Sequence, residues 1–211
     1  MRARKRALQS ETLHELLRWR RDVRSFATDP VPEATIARLL DTACLAPSVG
    51  LSQPWRFVLV ESPVRRQAMI AEFEHCNALA AASYPDAQGE AYRLLKLSGM
   101  REAPVHLAVC CDLATPVGRG LGRQTMPQTL RDSVVCAIHT LWLAAEAEGI
   151  GVGWVSILRP ERTAQILDLP ENWDLVGYLN IGWPAVRSTI PELERQGWET
   201  RNPAQSATVR R

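Results

Sequence analysis

The chain predicts an α+β domain, a central sheet with helices on both faces, and three observations carry that prediction. Apolar residues recur at helical spacing in several separated stretches, four short runs between them are strand-like, and the two kinds of segment interleave along the chain. With 211 residues, 46% of them apolar and 23% charged, the length suits a single compact domain.

Leu13, Leu16, Leu17 and Trp19 give residues 11–19 a helical face, and the basic residues ahead of it, Arg2, Arg4, Lys5 and Arg6, read as a flexible tail over 1–10. Pro32 followed by Glu33, then Ile36, Leu39, Leu40 and Ala43, marks a second helix with proline in its first turn; Pro47 ends it. Ser48 to Pro54 is a loop, and Trp55–Glu61 alternates as a strand. A helix is expected from Pro63 to Phe73, with a helical or mobile segment over 74–100. Ala103–Asp112 reads as a strand buried on both faces, because 105–111 is apolar almost throughout. Residues 118–123 form a basic glycine-rich loop that reads as a surface connection. The longest helix spans 128–148 and is apolar nearly all round, so it belongs in the core or at a subunit interface; Gly149 closes it in left-handed geometry. Strands follow at 151–158 and 175–181, and from about residue 184 a proline-bearing arm carries one short helix near 191–196.

Several function classes lose support at once. The 25 basic and 23 acidic residues leave a net charge of +2, too little for a nucleic-acid or membrane-surface protein. No apolar run approaches the ~20 residues that cross a bilayer, so a cytoplasmic protein is expected. The five cysteines contain no C-x-x-C pair, and Cys110 and Cys111 fall inside a strand as small apolar filler, so neither disulfides nor a metal are expected. His14, His75, His106 and His139 fall on helices or a buried strand with no acid at a triad spacing, and Ser156 has no nucleophile-elbow glycines around it.

The segment Arg20-Arg21-Asp22-Val23-Arg24 points to chemistry. Three guanidinium groups within five residues can hold a phosphate, each charge-assisted hydrogen bond contributing roughly 1.5–3 kcal/mol. Asp22 is the anomaly, since a carboxylate beside a phosphate is repelled by it; it is neutralised by its neighbours or kept for chemistry. Gly149-Ile150-Gly151-Val152-Gly153 comes after a helix and before a strand, the reverse of a dinucleotide-binding turn. Its glycines are better explained by close helix packing and by backbone approaching a flat ligand.

These segments, together with Ala46-Pro47-Ser48-Val49-Gly50-Leu51-Ser52-Gln53-Pro54-Trp55, the run Trp154 to Leu158 and the terminal arm, resemble the flavin-dependent nitroreductase superfamily over about residues 11–201. Ordinary members carry Ser where this chain has Asp22 and Asn where it has Leu51, and both departures match a specialised branch. The resemblance implies a nitroreductase-like fold with a central mixed sheet, and a homodimer with FMN at the interface and the C-terminal arm swapped across it. By the same resemblance Arg20, Arg21 and Arg24 hold the phosphate and ribityl region, with Val23 beside them and Arg201 of the arm joining. Ser48, Leu51 (through its backbone) and Gln53 line the isoalloxazine, and Val155 and Ser156 lie over its other side. The segment Tyr92–Met100 and the loop Gly118–Gly122 resemble a lid.

The branch's reaction, as the resemblance implies it, consumes reduced FMN: O2 attacks, the ribityl chain breaks, and a dimethylbenzimidazole for the lower ligand of cobalamin leaves with erythrose 4-phosphate. A separate flavin reductase supplies the reduced FMN. Asp22 is then the proton acceptor near the ribityl hydroxyls, and Ser156 relays a proton or orients the ring. Two other readings remain open at this point. An NAD(P)H-dependent nitroreductase or flavin reductase would share the fold and phosphate site but recycle its flavin, and a flavin-sequestering or flavin-sensing protein would bind it without reaction.

Overall fold

The computed structural model describes residues 2–203, 207–209 and 211, apart from the side chains of residues 2–5 and 86. Seven helices, α1 (Arg2–Trp19), α2 (Glu33–Ala43), α3 (Pro63–Ser83), α4 (Asp86–Leu94), α5 (Thr129–Ala147), α6 (Pro160–Leu167) and α7 (Glu192–Arg195), alternate with strands β1 (Trp55–Leu59), β2 (Val105–Asp112), β3 (Gly151–Val155) and β4 (Trp173–Gly182). The sheet runs β1-β2-β4-β3. All three pairings are antiparallel. The sheet is therefore antiparallel and not mixed as expected; the one parallel contact is an isolated bridge between Asp22, outside the strands, and Val152 on the free edge of β3.

Period-two alternation divides the core between the two faces of this sheet. Leu107, Val109 and Cys111 of β2, Val152 of β3 and Leu179 and Ile181 of β4 pack with Ile36 and Leu39 of α2 and with Val134, Ile138 and Leu141 of α5. The opposite face, with Ala108, Val155 and Tyr178, packs against Met69, Ile70 and Phe73 of α3 and Leu167 of α6. Cys110 and Cys111 are fully buried, and burial above all pushes the Cys111 thiol up to about 11, so both act as apolar filler. Gly149 has φ 74°, as the end of α5 requires.

Four segments differ from the sequence expectation. The tail is helical: α1 starts at Arg2, since residues 2–10 contain neither Gly nor Pro and are mostly good helix formers. α3 continues ten residues beyond Phe73 to Ser83. α6 lies within a stretch for which no element was expected. The loop 118–123 is not a free surface connection, because it packs on the turn Val49–Leu51: a Cβ on Gly118 would stand 2.7 Å from the Gly50 carbonyl oxygen.

Candidate active site

After α1 the chain runs as a strap along the free edge of β3. The Val23 amide donates to the Val152 carbonyl at 3.1 Å, the Ala27 amide to the Trp183 carbonyl at 2.9 Å, and the Ala185 amide to the Ser25 carbonyl at 3.0 Å. Two glycines make this possible. A Cβ on Gly153 would overlap the Val23 carbonyl oxygen, and one on Gly151 would come within 2.7 Å of Val23 Cγ2. The glycine stretch was expected to admit a flat ligand or a packed helix; it admits the chain's own strap.

The strap puts Asp22 at the end of β3. Its Oδ1 accepts the Trp154 amide at 2.9 Å, and its Oδ2 accepts Arg24 Nε at 2.7 Å. The Asp22 side chain remains 31% exposed. An acid fixed by two donors and still open to the surface is pre-oriented for a ligand, since its remaining lone pairs point outward without a further search of rotamers.

Two cavities meet at this ion pair. A cleft of about 250 Å³ is lined by Arg21, Asp22, Val23, Arg24, Lys96 and Arg195, together with Ser188 and Glu192. A second chamber of about 360 Å³ is walled by Tyr84, Tyr92, Trp154, Ser156, Ile157 and Trp198, and Arg24 lines it as well. The aromatic walls support one another. The Tyr84 and Tyr92 rings lie 5.1 Å apart, and Trp198 meets them edge-on at 5.6 and 6.0 Å. Tyr92 Oη donates to Asn77 Oδ1 at 2.9 Å.

The arginines divide their tasks. Arg21 Nε donates to the Thr189 carbonyl at 2.8 Å, tying the strap to the arm, whereas the Arg20 guanidinium lies over the Trp142 ring at 4.5 Å. Burial first, and then the charge of Arg201, disfavours the cationic form of Arg21; for Arg20 burial also leads, and Arg201 adds to it while Asp22 opposes. Arg201 thus adds to the cost of both cations, a cost that a bound anion beside them would relieve.

Of the residues expected at the site, Arg21 to Arg24 line the cleft and Ser156 the chamber, Arg20 and Arg201 stand within electrostatic reach of one another, and Val155 is buried in the core beneath the sheet's α3 face. Ser48, Leu51 and Gln53 do not join them: they sit on the Val49–Leu51 turn, where Ser48 Oγ accepts the Gln53 amide at 3.1 Å and the Val49 amide donates to Ser133 Oγ at 3.0 Å. Among the described residues no hydrogen bond or ion pair links that turn to the strap. Leu51 and Gln53 both have positive φ, 56° and 44°, and Leu51 is 70% exposed. Within the chain, Trp198 of the arm packs on Tyr84 and Tyr92. Sequence reading did not assign Lys96 and Arg195 to the cleft or Trp198 to the chamber, because their separation along the chain hides which residues share a cavity. Among the described residues there is no group of three side chains suited to a metal ion, and no helix is long and apolar enough to cross a membrane.

Residues 17–183 match the model of the nitroreductase family, and the chain belongs to that family. Within it, the chain is 58% identical over 191 residues to the 5,6-dimethylbenzimidazole synthase of Rhodospirillum rubrum, covering 90% of each protein. It is 46% identical over 195 residues to the protein of the same name from Rhodobacter capsulatus, covering 92% of this chain and 94% of that one. A crystal structure of oxidized iodotyrosine deiodinase bound to FMN and 3-iodo-L-tyrosine superposes with a TM-score of 0.71 at 23% identity, over 83% of this chain and 91% of the other, a likeness of fold.

Proposed function

We propose that this chain fragments reduced FMN with O2, yielding 5,6-dimethylbenzimidazole for the lower ligand of cobalamin together with erythrose 4-phosphate. It would work as a cytoplasmic homodimer supplied with reduced FMN by a separate flavin reductase. Two relatives named 5,6-dimethylbenzimidazole synthase, matched over about nine-tenths of this chain, support the reading. The single observation that carries it is Asp22, an acid where ordinary members of the family have serine, fixed by Arg24 and the Trp154 amide at the junction of a cationic cleft and an aromatic chamber.

The donor set fits a flat aromatic phosphate ester. Arg21, Arg24, Lys96 and Arg195 bring four cations to the cleft against Asp22 and Glu192, and Arg20 and Arg201 stand close behind. In this reading these groups bind the phosphate and ribityl end, Val23, Val155 and Ser156 lie against the ring, and Tyr84, Tyr92 and Trp198 keep water out. Reduced FMN supplies the carbon of both products and the electrons that O2 takes up, with both oxygen atoms of O2 leaving on the pyrimidine remnant. Asp22 accepts a proton from a ribityl hydroxyl, and Ser156 holds the ring or passes a proton at its edge. Because Ser48, Leu51 and Gln53 stand apart from the strap, a second copy of the chain would bring them to the ring. Exposed Leu13, Leu17 and Trp19 of α1 and Val135 of α5 offer apolar surface for that copy.

The test is aerobic incubation of purified protein with photoreduced FMN, followed by mass analysis. Dimethylbenzimidazole and erythrose 4-phosphate in equal amounts are expected. Intact FMN with hydrogen peroxide alone would overturn the reading in favour of a flavin-recycling reductase. Sedimentation at micromolar concentration checks the dimer, and a monomer there would remove the second copy from the site.

A further inference from the structure

Outside the two cavities, one cluster built on a buried carboxylate grips the loop that carries Ser156. Glu72, midway along α3, is only 5% exposed, and a carboxylate so placed must be fully paired. Arg159 Nε donates to its Oε1 and Arg159 Nη2 to its Oε2, both at 2.7 Å, in a fork. The main-chain amide of Arg159 and Cys76 Sγ each donate to Oε1 at 3.2 Å. The Arg159 hydrogen bonds above all hold the Glu72 carboxyl down to about 2, so it stays ionised.

The main-chain bond is the informative one. It fixes backbone three residues beyond Ser156, in the short loop between β3 and α6, and not merely a side chain. The same helix supports the tyrosines that line the aromatic chamber with Ser156. Asn77, a little more than one turn beyond Glu72, accepts the Tyr92 hydroxyl, and α3 ends next to Tyr84. Ser156 and the tyrosines, which line the same chamber, are therefore both held from one stretch of α3. Glu72 is buried while the Arg159 side chain is 54% exposed, so the pair is one-sided in its burial; the buried carboxylate must stay paired, and with a fork and a main-chain amide as its partners it is held in one geometry.

We infer that Glu72 is a positioning residue for the reaction: through Arg159 it sets the place of Ser156 relative to the chamber's tyrosines, without touching substrate. The inference rests on the proposed role of Ser156, and its test separates the two. Glu72→Gln keeps the shape and removes the charge, and is made both alone and in a Ser156→Ala background. Hydrogen exchange of the ligand-free protein should rise about tenfold at Ser156–Arg159 while β2 and β4 stay protected. At a temperature far below melting, product formed per reduced FMN consumed should fall about tenfold to a hundredfold in the single variant. In the Ser156→Ala background the same change should cost nothing further, since a residue acting only through Ser156 has nothing left to act on.

Exchange that rises throughout the sheet, or losses that multiply in the double variant, would show a merely structural ion pair and overturn the inference. Should Glu72→Gln not fold, Arg159→Lys, which keeps the charge but breaks the fork, runs the same cycle against the same outcomes. A wild-type protein that makes no benzimidazole would sink the proposed function by itself, whereas the exchange result judges the clamp independently.

Discussion

The Asp22 carboxylate and the Trp154 main-chain amide are joined by a 2.9 Å hydrogen bond across the edge of the sheet. Through it the strap and β3 share one rigid geometry, with Arg24 holding the other carboxylate oxygen. The acid is thus aimed by backbone on one side and by a guanidinium on the other, and that arrangement sets what each of the following changes should do.

Asp22→Asn keeps the size of the side chain and an acceptor for the Trp154 amide but cannot take up a proton. FMN binding, followed by quenching of flavin fluorescence, should persist. Benzimidazole formation should fall by about 10²–10⁴-fold, the usual contribution of a positioned base. Product at the wild-type rate would remove Asp22 from the chemistry.

Arg24 serves both cavities, so its loss should be felt twice. Arg24→Lys retains the charge but loses the Nε donor to Asp22. FMN affinity should weaken by about tenfold or more, as expected from losing one charge-assisted hydrogen bond. Product yield at saturating FMN should fall as well, because Asp22 is no longer held. A change in affinity with unchanged yield would assign Arg24 to the phosphate alone.

Gly153→Ala places a methyl group against the Val23 carbonyl oxygen, where the neighbour is backbone and cannot swing aside. The strap must shift, at about 1–3 kcal/mol, which lowers the melting temperature by roughly 5 °C. FMN affinity should drop with it, since the strap carries the arginines. Calorimetry and a fluorescence titration on one sample check both.

His106 gives the protein an acid-sensitive core. It is 1% exposed; its Nε2 faces the Met100 carbonyl at 2.9 Å, an acceptor only, so Nε2 carries the proton and Nδ1 accepts from the Tyr178 hydroxyl at 2.9 Å. Burial above all, helped by the Arg66 charge, lowers its pKa from 6.5 to about 4. The folded state therefore favours the neutral ring, and the stability this gives is full above pH 6.5 and lost as pH falls towards about 4. The loss is on the order of 3 kcal/mol. Thermal melts should show that decline, and His106→Gln should flatten it over the same window. An equal slope in the variant would place the acid sensitivity elsewhere.

Much of this was legible in the residues. α2 announces itself by one regular apolar face, while α5 and the strands announce themselves as apolar runs, because α5 is apolar nearly all round and the sheet is buried on both faces. The second half of α3 was not legible for the converse reason: beyond Phe73 it leaves the core, and His75, Ala78 and Leu79 are exposed, so no apolar repeat marks it. The Glu72–Arg159 clamp was invisible because two residues 87 positions apart leave no local trace of their pairing. Ser48, Leu51 and Gln53 were readable as a motif, but their distance from the strap within one chain was not.

By itself, the order of residues determined the fold class, the arginine cluster with its embedded acid, and the presence of a glycine stretch between a helix and a strand, because these depend on local spacing and side-chain type. Only the tertiary structure decided that the glycines accommodate the strap, that Arg24 holds Asp22, that the chamber's tyrosines and the Ser156 loop share α3, and that one chain leaves the Ser48 turn apart. Those are relations between segments distant in sequence, and they exist only once sheet pairing and packing bring the segments together.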